Sequence, residues 1–138
     1  MTIHAFTDGA SRGNPGESGI GIILKEENGS IISSLFGYIG KTTNNVAEYT
    51  ALITCLKMAA KIDCQTLVVH SDSELMVRQI QGTYKIKEPR LKKCAEQALT
   101  LMRAASFQCT IQHVTRDRNA DADKLANRGI DSKKPVRI

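Results

Sequence analysis

Four acidic residues stand where a purely structural sequence would avoid a charge. Asp8 and Asp72 each end a short apolar segment that predicts a β-strand. Glu48 shares a helix face with Leu52, four residues later, and Asp123 lies next to an inward-facing alanine of the last helix. A carboxylate that faces a core costs several kcal/mol unless it is paired or binds a metal. This placement therefore favours a chemical site over a structural one.

Each acid also has an ordinary structural interpretation. Asp72 could cap the short helix that follows it, and Asp8 could be a turn residue before Gly9. Glu48 and Asp123 could be solvated helix acids. The four become informative together, because the carboxyl ends of neighbouring parallel strands meet at one edge of a sheet. Four carboxylates at that edge form an oxygen-only ligand set, which hard divalent cations such as Mg²⁺ prefer.

The elements that must position these acids follow from the hydrophobic pattern. Helical spacing and turn signals predict the order β-β-β-α-β-α-α-β-α. The predicted strands are Ile3–Asp8, Gly19–Lys25, Ile31–Tyr38, Thr66–Ser71 and Thr110–Val114, and the helices cover about 44–61 and 73–80, then begin at Pro89 and near Asn119. Each of the last two strands is reached through a helix, which predicts parallel pairing. We expect an α/β fold with a mixed five-stranded sheet and helices on both faces, as a single domain over residues 1–138.

Charge is distributed unevenly along the chain. Its 138 residues carry a formal net charge of +5, with 5 basic and 8 acidic side chains in residues 1–77 but 14 basic and 6 acidic in residues 78–138. Basicity in one half indicates a polyanionic partner, although a solvated surface with a chance excess of lysine fits the charge equally well. Aromatic residues make up only 4 % of the chain, which disfavours a single-strand binder that works by base stacking.

The remaining composition indicates an intracellular protein. No apolar run is long enough to span a membrane, and the N-terminal residues do not resemble a signal peptide. None of the cysteines forms a Cys-x-x-Cys pair, so a structural zinc site is not expected, and buried free thiols are favoured over disulfides for Cys55, Cys64, Cys94 and Cys109. We expect a cytoplasmic monomer.

Five segments of the sequence together closely resemble the type 1 ribonuclease H family, and they occur in the right order and spacing over essentially the whole chain. They are Thr7–Ala10, Gly13–Gly16, Thr42–Glu48, His70–Ser73 and Arg116–Asn127. The resemblance implies a ribonuclease H-like fold and an endonuclease that hydrolyses the RNA strand of RNA/DNA hybrids, leaving 5′-phosphate and 3′-hydroxyl ends. A catalytically weak or inactive hybrid-binding module on the same fold is the alternative.

The resemblance also implies the site. The family's metal ligands correspond to Asp8, Glu48, Asp72 and Asp123, and the implied cofactor is two Mg²⁺ ions, with Mn²⁺ as a possible substitute. Asp8 would bridge the two ions, Asp123 would hold the ion at the attacking water, and the other two acids would hold the ion at the leaving oxygen. Contacts with the hybrid are implied for Gly9, Asn14, Thr43, Asn44 and Asn45.

Two departures from the better-known bacterial pattern concern the substrate. The loop Thr115–Arg118 lacks the histidine that many family members carry, and His113, inside the last predicted strand, is expected to be structural. The basic protrusion of some members is shortened here, although residues 85–93 still hold five cations. We expect Lys85 and Lys87 to form a reduced basic contact with the DNA strand.

Overall fold

Three long antiparallel strands build one half of the sheet. In the computed structural model, which describes residues 1–138, these strands are β1 (Thr2–Gly13), β2 (Gly16–Glu26) and β3 (Ile31–Thr42). They run well past their predicted ends, because the glycine-rich segment 9–16 continues the β1–β2 ladder as a hairpin and is not a loop. Asp8 therefore lies within β1 and not at its end: it pairs with Gly21 of β2, and the pairing of β1 with the fourth strand of the sheet ends one residue earlier, at Thr7.

Two shorter parallel strands complete the sheet in the order β3-β2-β1-β4-β5. Strand β4 (Thr66–Ser71) pairs in parallel with β1, and β5 (Gln108–His113) pairs in parallel with β4. The predicted mixed topology is thus confirmed. Asp72 follows β4 directly, and because Thr7 lies opposite Ser71 in the register, Asp72 emerges beside the β1 segment that carries Asp8.

Four helices cover the two faces of the sheet, as predicted. They are α1 (Asn44–Ala59), α2 (Glu74–Ile80), α3 (Pro89–Ala104) and α4 (Ala120–Ser132), with a 3₁₀ turn at Arg116–Asn119 before α4. Helix α1 packs between the sheet and α3, while α4 packs on β2 and β3. None of the helices combines the length and the hydrophobicity that a membrane span requires.

The helix caps correct the alternative interpretation of Asp72. Thr43 caps α1 by accepting a hydrogen bond from the Val46 N–H at 3.3 Å. Ser73, and not Asp72, caps α2 in the same way through the Met76 N–H. A capping oxygen must stand two or three residues before the N–H that it accepts, and α2 begins at Glu74, one residue later than a cap at Asp72 requires. The Asp72 carboxylate is consequently not engaged in capping.

The hydrophobic core lies between the sheet and the α1–α3 layer. The predicted α1 stripe of Leu52, Cys55, Leu56 and Ala59 is buried. All four cysteines are free, as expected, but Cys94 and Cys109 are only half-buried because they lie toward the margin of this layer. Burial raises the pKa of the Cys55 thiol and so keeps it protonated and unreactive.

Close approach of α4 to the sheet depends on glycine. A Cβ added at Gly21 would lie 2.3 Å from the Ala122 carbonyl oxygen and 2.6 Å from the Ala126 N. Neither atom is the end of a flexible side chain, so only a residue without a side chain lets the helix backbone rest on the strand. Helix α4 carries Asp123, and the distance between that acid and β1 is set by this contact.

Gly21→Ala should therefore destabilise the fold by about 1–3 kcal/mol, the usual cost of inserting a methyl group into a close-packed contact. Urea unfolding followed by circular dichroism measures the change. An unchanged unfolding midpoint would show that α4 can shift without loss and would contradict this account of its docking.

Candidate metal-dependent active site

Carboxylates from three separate elements converge at the β1–β4 end of the sheet. Oxygen atoms of Asp8 in β1, Glu48 in α1 and Asp72 after β4 lie within 4.8 Å of one another. Asp8 is 5 % and Glu48 4 % exposed, so these charges are withdrawn from bulk water. The fourth predicted acid, Asp123 of α4, lines the same cavity of about 270 Å³. The structure thus brings together all four predicted acids.

Glycine also sets the geometry on the α1 side. A Cβ at Gly9 would lie 2.2 Å from the Ala47 carbonyl carbon, so α1 can reach β1 only because position 9 has no side chain. At this contact the Gly9 N–H donates a 2.9 Å hydrogen bond to Glu48 Oε1. The bond fixes the Glu48 carboxylate toward Asp8, and it explains how a helix residue that faces the sheet can be acidic.

A chain of polar contacts holds Asp123 on the other side of the cavity. The Asn127 amide donates to the Asp123 carbonyl oxygen at 3.1 Å and to its carboxylate at 3.4 Å. Arg12 in turn donates to Asn127 Oδ1 at 3.4 Å and forms an ion pair with Asp131 at 2.7 Å. One turn of α4 is therefore tied to the β1–β2 hairpin through side chains, in addition to its packing on Gly21.

The cluster is electrostatically unfavourable on its own. Burial is the largest cause that raises the pKa of Asp8, and the neighbouring carboxylates Glu48, Asp72 and Asp123 raise it further. Burial also raises the pKa of Glu48, and the hydrogen bond from Gly9 only partly opposes this effect. Divalent cations resolve such repulsion, and the donor set of carboxylate oxygens with no nitrogen or sulfur ligand fits a hard cation. The residues present therefore suit a divalent metal site.

The residues implied as substrate contacts lie next to one another. Gly9 and Asn44 line the acidic cavity itself. Asn14 lies at the tip of the β1–β2 hairpin, and its side-chain oxygen accepts a 3.0 Å hydrogen bond from the Asn44 N–H. Thr43 caps α1, and Asn45 is half-buried in its first turn. These five residues therefore form one continuous margin beside the carboxylates.

Lys85 and Lys87 stand apart from this margin. Both are exposed in the irregular segment between α2 and α3, where no helix forms before Pro89. The shortened protrusion is therefore an open loop. Glu88 at its end caps α3 by accepting hydrogen bonds from the Arg90 and Leu91 N–H groups.

Sequence reasoning missed several residues that line the cavity, namely Ala10, Ser11, Arg116 and Asn127. Asn127 stands four residues after Asp123, which is one helical turn, so helical spacing could have indicated it. Arg116 belongs to a loop whose position depends on the folded chain, and no periodic signal marks it. His113 lies inside β5, as predicted, where it is exposed and does not line the cavity, and its structural role stays a prediction.

Comparisons with known proteins agree with this architecture. A family model described as reverse transcriptase-like matches residues 6–129. Ribonuclease HI of Neisseria meningitidis is 33 % identical over 94 % of this chain and 95 % of that protein. Ribonuclease HI of Halobacterium salinarum is 38 % identical over 94 % of this chain, and the chain spans 64 % of that protein and 36 % of a bifunctional protein of Mycobacterium tuberculosis.

Solved structures show the same fold. The crystal structure of the Halobacterium salinarum RNase H1 has a TM-score of 0.91 at 38 % identity, covering 96 % of this chain and 99 % of that one. The LC11-RNase H1 structure, in complex with an RNA/DNA hybrid, has a TM-score of 0.88 at 42 % identity, covering 94 % and 97 %. Fold and site define an α/β protein of the ribonuclease H class with an acidic, metal-suited centre. More particularly, the chain belongs to the type 1 ribonuclease H family.

The raised pKa of Asp8 leads to a prediction about the metal-free protein. Because folding raises this pKa above the ordinary value of 3.8, the folded state holds a proton that the unfolded state loses above about pH 4. Stability contributed by Asp8 is thus greatest in acid and falls as the pH rises. Asp8→Asn should stabilise the protein in EDTA by about 1–3 kcal/mol at pH 8, and by less at pH 5.

Thermal unfolding at the two pH values measures this difference. Asp121→Asn is the matched control, because Asp121 is an exposed acid two residues from Asp123 and does not line the cavity. An Asp8→Asn variant that is less stable than the wild type in EDTA at pH 8 would contradict the electrostatic argument.

Proposed function

We propose that this protein is an endonuclease that hydrolyses the RNA strand of RNA/DNA hybrids, leaving 5′-phosphate and 3′-hydroxyl ends. The observation that carries the proposal is the convergence of Asp8, Glu48, Asp72 and Asp123 on one cavity. The 42 % identical LC11-RNase H1 structure in complex with an RNA/DNA hybrid supports the choice of substrate. The alternative of an inactive hybrid-binding module is not favoured, because no member of the acidic set is missing.

The four carboxylates are proposed as ligands for two Mg²⁺ ions, with Mn²⁺ as a possible substitute. When bound, the ions would supply Lewis-acid activation of water and stabilisation of the leaving 3′-oxygen. Asp8 would be the ligand that the two ions share, because it is the acid whose pKa is raised by the charges of all three others, Glu48, Asp72 and Asp123. No thiol, hydroxyl or imidazole nucleophile is required, and none of the cysteines lines the cavity.

The margin beside the cavity is proposed to bind the hybrid. Gly9 presents backbone with no side chain in the way, and Asn14, Thr43, Asn44 and Asn45 offer amide and hydroxyl groups suited to sugars, base edges and phosphates. Thr43 and Asn14 also hold the start of α1, so the groups proposed to touch substrate are rigidly mounted. The 2′-hydroxyl is the group that distinguishes RNA from DNA at such a surface.

Three further proposals concern the protein as a whole. We propose that residues 1–138 act as one domain, because all five strands form a single sheet and one hydrophobic cluster joins the sheet to the helices packed on it. We also propose a monomer, since every proposed site residue comes from this chain. A cytoplasmic location is proposed because four free thiols suit a reducing compartment.

Cleavage of an end-labelled RNA/DNA hybrid tests the function directly. We expect Mg²⁺-dependent cleavage of the RNA strand, no cleavage in EDTA, and a loss of kcat of about 10³-fold or more for Asp8→Asn and Asp72→Asn, because each removes a charged ligand from the cluster. Asp121→Asn should retain activity within about twofold. Cleavage that persists in EDTA or in either variant would contradict the proposed metal-dependent mechanism. If the wild type binds the hybrid but does not cleave it, the inactive hybrid-binding module would be favoured.

The loop that carries Lys85 and Lys87 is proposed to bind the DNA strand of the hybrid. The salt dependence of hybrid binding measures this contribution. Reversing the charges with Lys85→Glu and Lys87→Glu should raise KM for the hybrid and reduce the slope of log affinity against log salt by about 2, because two phosphate contacts are lost. The matched control is the Lys57→Glu and Lys61→Glu pair, at the far end of α1 and about 20 Å along the helix from Asn44. Equal effects of the two pairs would reject a specific role for the loop.

A further inference from the structure

Arg12 stands in the β1–β2 hairpin, four residues after Asp8, and no role in metal binding or hybrid binding has so far used it. Alternate residues of a strand face the same side of the sheet, so Arg12 projects from β1 on the side of Asp8. That is the side covered by α4, because Gly21, the partner of Asp8 in β2, lies against the α4 backbone. The arginine therefore faces the helix that carries Asp123.

The spacing of residues along α4 matches the spacing along β1. Asp123 and Asp131 are eight residues apart, which is about 12 Å along a helix. Asp8 and Arg12 are four residues apart, which is about 13 Å along a strand. Asp8 and Asp123 both line the cavity, and Arg12 pairs with Asp131 at 2.7 Å. The ion pair thus fixes the position of α4 along β1 at a point beyond the cavity.

Asp123 is held less firmly than Glu48. The Glu48 carboxylate accepts its hydrogen bond from the backbone N–H of Gly9, which cannot rotate. The Asp123 carboxylate accepts one hydrogen bond from the protein, at 3.4 Å, and its donor is the side-chain amide of Asn127. An amide that turns by half a rotation exchanges its N–H donors for its oxygen. The Asn127 oxygen would then face the Asp123 carboxylate and repel it.

Arg12 determines which end of the Asn127 amide faces Asp123. A guanidinium has N–H donors and no acceptor, and Arg12 Nη2 lies 3.4 Å from Asn127 Oδ1. This contact favours the orientation in which the amide oxygen points to Arg12 and the amide nitrogen points to Asp123. The other nitrogen, Nη1, is held by Asp131, so the planar guanidinium spans one turn of α4.

We propose that Arg12 is a positioning residue for the Asp123 carboxylate. Through Asn127 it keeps a hydrogen-bond donor on one oxygen of that carboxylate, and so sets the direction in which the other oxygen faces the cavity. The inference rests on the proposed function, because it concerns a ligand of the proposed metal centre. Groups that orient metal ligands commonly change metal affinity or activity by 10-fold to 100-fold. The exposed ion pair itself contributes little to folding stability.

Arg12→Met tests the proposal, because it removes every donor and keeps an apolar side chain. Mg²⁺ binding to the substrate-free protein is followed by NMR at the Asn127 side-chain amide, and hybrid cleavage is measured at saturating Mg²⁺. We expect Mg²⁺ affinity and kcat each to fall about tenfold while KM for the hybrid stays within about twofold. Arg128→Met is the matched control, since it removes the same charge from an exposed arginine of α4 that does not line the cavity. It should leave all three quantities within about twofold of the wild type.

A double-mutant cycle separates positioning from a merely structural role. Asn127→Ala removes the amide through which Arg12 is proposed to act, so Mg²⁺ binding to these variants is measured by calorimetry. Combining Arg12→Met with Asn127→Ala should lower the Mg²⁺ affinity no further than Asn127→Ala alone.

Three outcomes would overturn the proposal. The first is additive losses of Mg²⁺ affinity for Arg12→Met and Asn127→Ala, and the second is an Arg12→Met variant that behaves like Arg128→Met. The third is a higher KM for the hybrid with unchanged kcat and Mg²⁺ affinity, which would make Arg12 a contact for the hybrid. Failure of the wild type to cleave any hybrid would instead reject the proposed function, and the Mg²⁺ titrations of the substrate-free protein would still decide the role of Arg12.

Discussion

Mutual repulsion of buried carboxylates at one end of the sheet is the constraint around which the other features of the structure are arranged. Asp8 and Glu48 are almost fully withdrawn from water, and both have raised pKa values because burial and like charges oppose ionisation. A fold that keeps such a cluster must be held together elsewhere, because the cluster itself destabilises the metal-free protein. The 24-residue core between the sheet and α1 and α3 supplies that stability, and it lies outside the cavity.

The carboxylates of the cluster are positioned by helix backbones that pack closely against the strands. Gly9 lets α1 rest on β1, and Gly21 lets α4 rest on β2, so helices on opposite faces of the sheet deliver acids to the same edge. Polar contacts then fix the side chains, with the Gly9 N–H on Glu48 and the Asn127 amide on Asp123. A shift of an ångström at either glycine would move α1 or α4, and with it Glu48 or Asp123, relative to Asp8.

The structure separates the acidic residues of the cavity from the basic residues of the remaining surface. Of the 14 acidic residues four line the cavity, and of the 19 basic residues only Arg116 does, which leaves 10 acidic against 18 basic residues over the rest of the chain. A negative, metal-suited pocket therefore lies within a basic surface that attracts a polyanion. Arg116 is the one point where the two meet, because it is a cation inside the acidic cavity.

The order of elements, the parallel pairing of the last two strands and the identity of the four acids were all accessible from the sequence, because local periodicity and chain connectivity determine them. The family resemblance added the substrate class. The tertiary structure alone decided which neighbours each group has: Asp8 lies within an extended hairpin and not at a strand end, Thr43 caps α1, and Asn127 and Arg116 line the cavity. These features depend on contacts such as Asn119 with Thr7, 112 residues apart, and no local pattern encodes a distance of that kind.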